Sequence, residues 1–137
     1  MGYGAAVIVI FGVELLSIKD FKEGISYKSI LPIIKRLWPS VNFDNDNEHD
    51  YFFDILIHEP IPGSKYRLIS CTNHSCEISY HIALKYFRYE VAPDFDMPRA
   101  FGKELPISEE IDEFVQFLKS KEINLPYDMH ITFSGSD

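Results

Sequence analysis

The sequence predicts an α+β fold, a single-domain two-layer sandwich that spans residues 1–137 in the order β-α-β-β-β-α-β. Three patterns predict it. The apolar run Gly4–Val13 has no polar interruption, which is typical of a strand buried on both faces. Cys76–Tyr86 alternates with a period of two, and residues 108–121 repeat their apolar positions at helical spacing. We therefore expect a largely antiparallel sheet with helices packed on one face.

Helix signals follow the first strand. Ser17 and Asp20 have the spacing of a capping box, and Gly24 is a stop signal, so a short helical turn is predicted over 18–23. A second helix is predicted to be capped by Ser29 and to end before Pro39, because the residue before a proline avoids the helical region. Its apolar stripe is Ile30, Ile33, Ile34 and Leu37.

The middle of the chain predicts three strands in an antiparallel meander. Tyr51–His58 and Tyr66–Thr72 are strands by composition, and the turn residues of Glu59–Ser64 separate them. In Cys76–Tyr86 the even-numbered residues share one face and the odd-numbered residues the other, which predicts a half-buried strand. We expect the first strand to lie beside the last, Met129–Phe133, near the sheet centre.

The C-terminal third predicts a long loop, a helix and the final strand. Ala92–Pro106 contains three prolines and a glycine, and loops of this length are often functional. Ser108 is predicted to cap a helix over about 109–121, with Glu109 and Glu110 in its first turn. Pro126 separates this helix from the final strand.

Composition and charge limit the classes of function. The chain is 46% apolar and 15% aromatic, which is enough for a packed core, and its net charge is −8. An acidic protein is poorly suited to nucleic acid or to an anionic membrane surface, and it suits a basic protein partner. No basic residue precedes the N-terminal apolar run, which is too short to span a bilayer. We expect a soluble, cytoplasmic protein with no cofactor.

These properties favour a small acidic protein-binding module, such as an inhibitor, an immunity-type protein or an adaptor. Two segments are the expected contact surfaces, because acidic clusters steer basic partners and aromatic, methionine and arginine side chains are enriched at interface centres. Their residues are Asp44, Asp46, Glu48, Asp50, Phe95, Met97, Arg99 and Phe101. Anchoring of Phe95 and Phe101 to the protein's own core is the competing interpretation. A homodimer or a structural subunit that pairs through its sheet edges is a further alternative.

Two segments contain residues of the types that bind metals. The acidic segment that starts at Asp44 lacks the glycine and glutamate that an EF-hand calcium loop requires. A two-residue turn at Asn73-His74 would place Cys71 opposite Cys76, at a distance that permits a disulfide. Cys71, His74 and Cys76 would alternatively supply three zinc ligands. Free thiols, a disulfide and zinc all remain open, and free thiols are expected because intracellular thiols stay reduced.

A catalytic alternative depends on the final strand. The segment His130-Ile131-Thr132-Phe133 resembles the histidine, hydrophobic, threonine, hydrophobic strand of the 2H phosphoesterases. The resemblance implies a second copy at His81-Ile82-Ala83-Leu84, which lacks the hydroxyl. It further implies that the two strands lie side by side in a cleft. One histidine would be the general base and the other the general acid, with Thr132 binding phosphate.

On the sequence alone, the missing hydroxyl at Ala83 argues against phosphodiester hydrolysis, and the protein-binding module is preferred. A structure that places His81 and His130 across one open cleft would favour the enzyme.

Overall fold

The computed structural model describes residues 6–25, 27–41, 59–72, 78–90 and 105–134. They form one antiparallel four-stranded sheet with the strand order β2-β3-β1-β4. The strands are β1 (Ala6–Leu16), β2 (Arg67–Thr72), β3 (Ile78–Glu90) and β4 (Asp128–Ser134). The helices are α1 (Ile18–Lys22), a 3₁₀ helix (Tyr27–Ile30), α2 (Leu31–Leu37) and α3 (Ser108–Ser120).

This architecture confirms the α+β class. The predicted strand Tyr51–His58 lies outside the described residues, so the full element order and the two-layer sandwich stay predictions. In the part of the chain that the structure describes, no helix is long and apolar enough to cross a membrane.

Strand β1 is the spine of the sheet. It pairs antiparallel with β3 on one side and with β4 on the other, which confirms that the first and last strands are neighbours. A strand with two partners and two covered faces needs apolar side chains in both directions. Val9 is 1% exposed and Ile10 is 0% exposed, although they point to opposite faces, so the uninterrupted apolar run is explained.

Helices α2 and α3 share a hydrophobic cluster with one face of the sheet. Its fully buried members include Val13, Ile34, Leu37, Leu68, Ile82, Phe114 and Leu118. The rings of Tyr66 and Phe114 meet edge to face with their centroids 4.9 Å apart. The opposite face of the sheet carries a second cluster, Ile8, Ile10, Cys71 and Ala83. This opposite face, called the histidine face below, also carries His81 and His130.

The predicted capping box is confirmed. The Ser17 hydroxyl accepts a hydrogen bond from the Asp20 N–H at 3.0 Å, and the Asp20 carboxylate accepts one from the Ser17 N–H at 3.1 Å. Gly24 follows with a φ of +86°, a left-handed conformation that glycine adopts without strain. This local device turns the chain from the end of β1 directly into α1.

Two predicted caps are wrong. Ser29 lies inside the 3₁₀ helix, and Ile30 is the residue that precedes α2, so backbone turns replace a side-chain cap there. Ser108 is the first residue of α3 rather than its cap. The N–H of Ile107 donates to the Glu110 carboxylate at 3.1 Å, which places the helix boundary one residue earlier.

A bulge in β3 breaks the predicted alternation. Phe11 pairs with Lys85 and Gly12 pairs with Ala83, so Leu84 is an extra residue with no partner on β1. Beyond the bulge the faces exchange. Lys85 turns to the helix side, where it donates to Glu110 at 3.1 Å. The prediction of one continuous alternation to residue 86 was therefore wrong from Lys85 onward.

The β2–β3 hairpin has a different register from the predicted one. Thr72 pairs with Ile78, and the partner of Cys71 on β3 is Ser79 rather than the predicted Cys76. Cys71 is a buried free thiol. Burial raises the pKa of Cys71 to about 11, against smaller opposing effects of Ser79 and Arg88. A thiol that stays protonated is a poor metal ligand. His74 and Cys76 lie outside the described residues.

Candidate active site

Three titratable side chains from three different strands meet on the histidine face. They are Glu14 on β1, His81 on β3 and His130 on β4. One side-chain oxygen or nitrogen from each lies within 4.8 Å of those of the other two. The cluster is therefore a product of strand pairing, because the three residues are far apart in sequence.

The central strand sets the relative positions of the two histidines. His81 pairs with Glu14 and His130 pairs with Ile10, so Gly12 lies between these two positions on the same face of β1. The two imidazoles approach each other across β1. Their ring centroids are 5.3 Å apart, with 49° between the ring planes. The histidine strands flank β1 rather than lying side by side, which differs from the arrangement that the resemblance implied.

His81 is the most buried member, at 1% exposure. Its Nε2 lies 3.3 Å from Glu14 Oε2, whose side chain is 37% exposed. Burial, with a smaller contribution from the neighbouring His130, lowers the pKa of His81 from its ordinary 6.5 to about 4. His81 is therefore neutral near pH 7. In the tautomer that donates Nε2–H to Glu14, its Nδ1 carries a lone pair.

Three buried polar atoms on this face have no hydrogen-bond partner among the described residues. They are His81 Nδ1, His130 Nε2 and Ser79 Oγ. Leaving such a group unsatisfied costs about 1–3 kcal/mol, so native proteins rarely do so without a reason. A bound ligand, ion or water would account for the two ring nitrogens, whereas the Ser79 hydroxyl lies beside the Cys71 thiol.

A pocket of about 400 Å³ opens on these groups. Its lining comes from the end of β1, the first turn of α1, and strands β3 and β4. The residues are Glu14, Ser17, Ile18, Lys19, Ser79, His81, Met129, His130, Ile131 and Thr132. Lys19 adds a positive charge, and Thr132 adds a hydroxyl. The pocket is large enough to hold a small group of a substrate, and its polar side chains can position that group.

The structure brings together some of the predicted site residues and leaves others untested. His81, His130 and Thr132, the alternative catalytic set, all line this pocket. The predicted contact residues at 44–50 and 95–101 lie outside the described residues. The sequence reasoning did not find Glu14 or Ser79. Glu14 had one signal, because it is a carboxylate that directly follows a buried apolar run and so falls at the end of a central strand.

Comparison of the chain with protein-family models, curated proteins and solved structures found no match. The fold and the site thus define only a class, an α+β protein with a histidine–carboxylate pocket on one sheet face. The chemistry of that pocket is therefore the main indication of function.

Proposed function

We propose that the chain hydrolyses phosphoesters, with phosphodiesters as the first class to test, and that the pocket on the histidine face is its active site. The observation that carries the proposal is the pairing of His81 and His130. Their rings lie 5.3 Å apart, and both line the pocket that also contains Thr132. Two imidazoles at this separation can serve two oxygen atoms of one small reacting group.

Three side chains of the pocket can contact an anionic substrate, although the Glu14 carboxylate in the same lining offsets the charge of Lys19. Lys19 supplies a positive charge at the pocket lining, and the hydroxyls of Thr132 and Ser79 supply hydrogen-bond donors. A lysine and oriented donors are the groups that stabilise charge on phosphoryl oxygens. Neutral His81, held by the Glu14 carboxylate, can accept a proton, and His130 is the second group for proton transfer.

Ser79 offers a hydroxyl in place of the one that the resemblance implies at Ala83. The hydroxyl that the resemblance expects two residues after His81 is absent, because Ala83 occupies that position. Ser79 lies two residues before His81 on the same face of β3, and its buried hydroxyl lines the pocket. We propose that Ser79 supplies the hydroxyl that Ala83 does not. This proposal takes the place of the sequence-based expectation that the chain does not hydrolyse phosphodiesters.

The protein-binding module is the second candidate. It is favoured by the net charge of −8, and the segments expected to make the contact lie outside the described residues. We also propose three further features that the sequence predicts. They are the two-layer sandwich with helices on one face, a basic protein partner and a cytoplasmic location.

The test is turnover of phosphodiesters by the purified full chain. We expect release of p-nitrophenol from bis-p-nitrophenyl phosphate or opening of a 2′,3′-cyclic nucleotide, with His130→Gln lowering the rate by about 10²–10⁴-fold. Tyr86→Phe is the matched control, because Tyr86 is exposed on the same sheet face and does not line the pocket. Thermal unfolding of each variant checks that it is folded. Absence of turnover in the wild type, or equal rates for His130→Gln and the wild type, would refute the proposal.

A further inference from the structure

We infer that Glu14, His81 and His130 bind one divalent transition-metal ion, with zinc as the best fit, at the base of the pocket. One carboxylate and two imidazoles from three neighbouring strands converge there, with their ligand atoms within 4.8 Å of one another. Binding of the metal is an inference separate from the phosphoesterase proposal. The use of the metal in hydrolysis rests on that proposal, and there the metal-bound water replaces the proton-transfer roles of His81 and His130, because a coordinated nitrogen has no free lone pair.

The distances are close to those of a metal site. Zinc takes nitrogen and oxygen ligands at about 2.0–2.2 Å, which sets neighbouring ligand atoms of a tetrahedral site about 3.4 Å apart. His81 Nε2 and Glu14 Oε2 already have this spacing, at 3.3 Å. A pair at the 4.8 Å limit would have to approach by about 1.4 Å. The part-exposed side chains of Glu14 and His130 can make that movement by rotation.

The unsatisfied atoms point to the same ligand. Among the described residues, the buried His130 Nε2 has no hydrogen-bond partner, so its lone pair is available to a metal. His81 would bind through Nε2, the atom beside Glu14, in the tautomer that carries its proton on Nδ1. A metal ion takes up an imidazole lone pair that no protein donor reaches. It also neutralises the Glu14 carboxylate, which otherwise lies beside the buried ring of His81 without a positive charge to balance it. Two nitrogens and one carboxylate favour zinc or another first-row ion over magnesium and calcium, which prefer oxygen ligands.

The arrangement is that of a site with an open position. Three protein ligands leave the fourth tetrahedral position to water or substrate, and these ligands line a pocket. A metal in such a site lowers the pKa of its bound water to about 7. In hydrolysis, the water oxygen bonds to phosphorus and the phosphorus–oxygen bond to the leaving group breaks. The proton of the water ends on the leaving oxygen.

The experiment measures metal binding by the chelator-treated full chain. We expect one zinc ion per chain in a titration against a chromophoric chelator, and a visible absorption band typical of tetrahedral geometry when cobalt(II) is added. Glu14→Gln and His130→Gln should each weaken zinc binding by about 100-fold, on the scale that ligand loss has in comparable sites. These two are preferred to a change at His81, whose deep burial makes misfolding a competing cause.

Two controls exclude other metal sites. Asp128→Asn removes an exposed carboxylate of β4 that does not line the pocket, and should leave zinc affinity unchanged. Cys76→Ser removes a ligand of the alternative set Cys71, His74 and Cys76, and should also leave it unchanged. No stoichiometric binding, or loss on Cys76→Ser but not on Glu14→Gln, overturns the inference. A zinc-bound protein without phosphodiester turnover supports the metal site and refutes the proposed function.

Discussion

Gly12→Ala is expected to lower the free energy of unfolding by at least about 3 kcal/mol, a larger loss than most overpacked core substitutions cause. A Cβ atom at this position would lie 2.0 Å from the carbonyl oxygen of Ile82 and 3.0 Å from the Cα of Ala83. Both atoms belong to the backbone of β3, so no side-chain rotation relieves the clash. Strand β1 cannot move aside either, because it is paired on both edges.

Gly63→Ala is the matched control for this prediction. Gly63 has a φ of +78°, yet an added Cβ would meet nothing within 4 Å. The expected cost is therefore the backbone strain alone, about 1–2 kcal/mol. Urea unfolding of both variants measures the difference. If Gly12→Ala were as stable as the wild type, the close approach of β1 and β3 at the bulge would be incorrect.

The same glycine links the stability of the fold to the site. Gly12 lies on β1 between the partners of His81 and His130, at the point where Leu84 bulges out of β3. A substitution that forces β1 and β3 apart would also separate the two imidazoles. A folded Gly12→Ala protein should therefore lose zinc affinity along with stability.

The sequence predicts several local features of this fold, although the caps expected at Ser29 and Ser108 were wrong. The capping box of Ser17 and Asp20, the stop at Gly24 and the burial of the first strand depend on side chains and backbone within a few residues of one another. Such signals are visible in any short window. The pairing of the first and last strands was also expected, and the structure confirms it.

Other features depend on pairings between distant segments, which a periodic pattern does not encode. The bulge at Leu84 reverses the faces of Lys85 and Tyr86, although the sequence alternates through them without interruption. The hairpin register pairs Cys71 with Ser79 for the same reason, because several loop lengths fit the same two strands. Register is set by tertiary packing as much as by turn residues.

The candidate site likewise combines residues that the sequence identifies locally with contacts that depend on the pairing of distant strands. The histidines were identifiable as residues of chemical interest, but their meeting across β1 depends on strand order. The role of Glu14 in the site depends on its pairing with His81. In the sequence, a single glutamate after an apolar run indicates only the end of a strand. It becomes a candidate ligand only when two imidazoles lie beside it.

Acidification of the metal-free protein is expected to remove about 2 kcal/mol of stability between pH 7 and pH 5 through His81 alone. Burial lowers the pKa of His81 from the ordinary 6.5 to about 4 in the folded protein. The unfolded chain therefore binds more protons than the folded protein over this range. The contribution is fully present above pH 6.5, falls as the pH decreases, and is exhausted below the folded pKa.

Urea unfolding at a series of pH values, with a chelator present, measures this loss. His81→Gln provides the reference, because glutamine is polar and does not titrate, while the carboxylates that also respond to acid remain in both proteins. The wild type should lose about 2 kcal/mol more than His81→Gln between pH 7 and pH 5. If the two proteins have parallel pH profiles, His81 is not held neutral by burial in the folded state. If His81→Gln does not fold, the pKa of His81 measured by NMR in the wild type decides the question. A value near 6.5 would contradict the buried, neutral imidazole, and a value near 4 would support it.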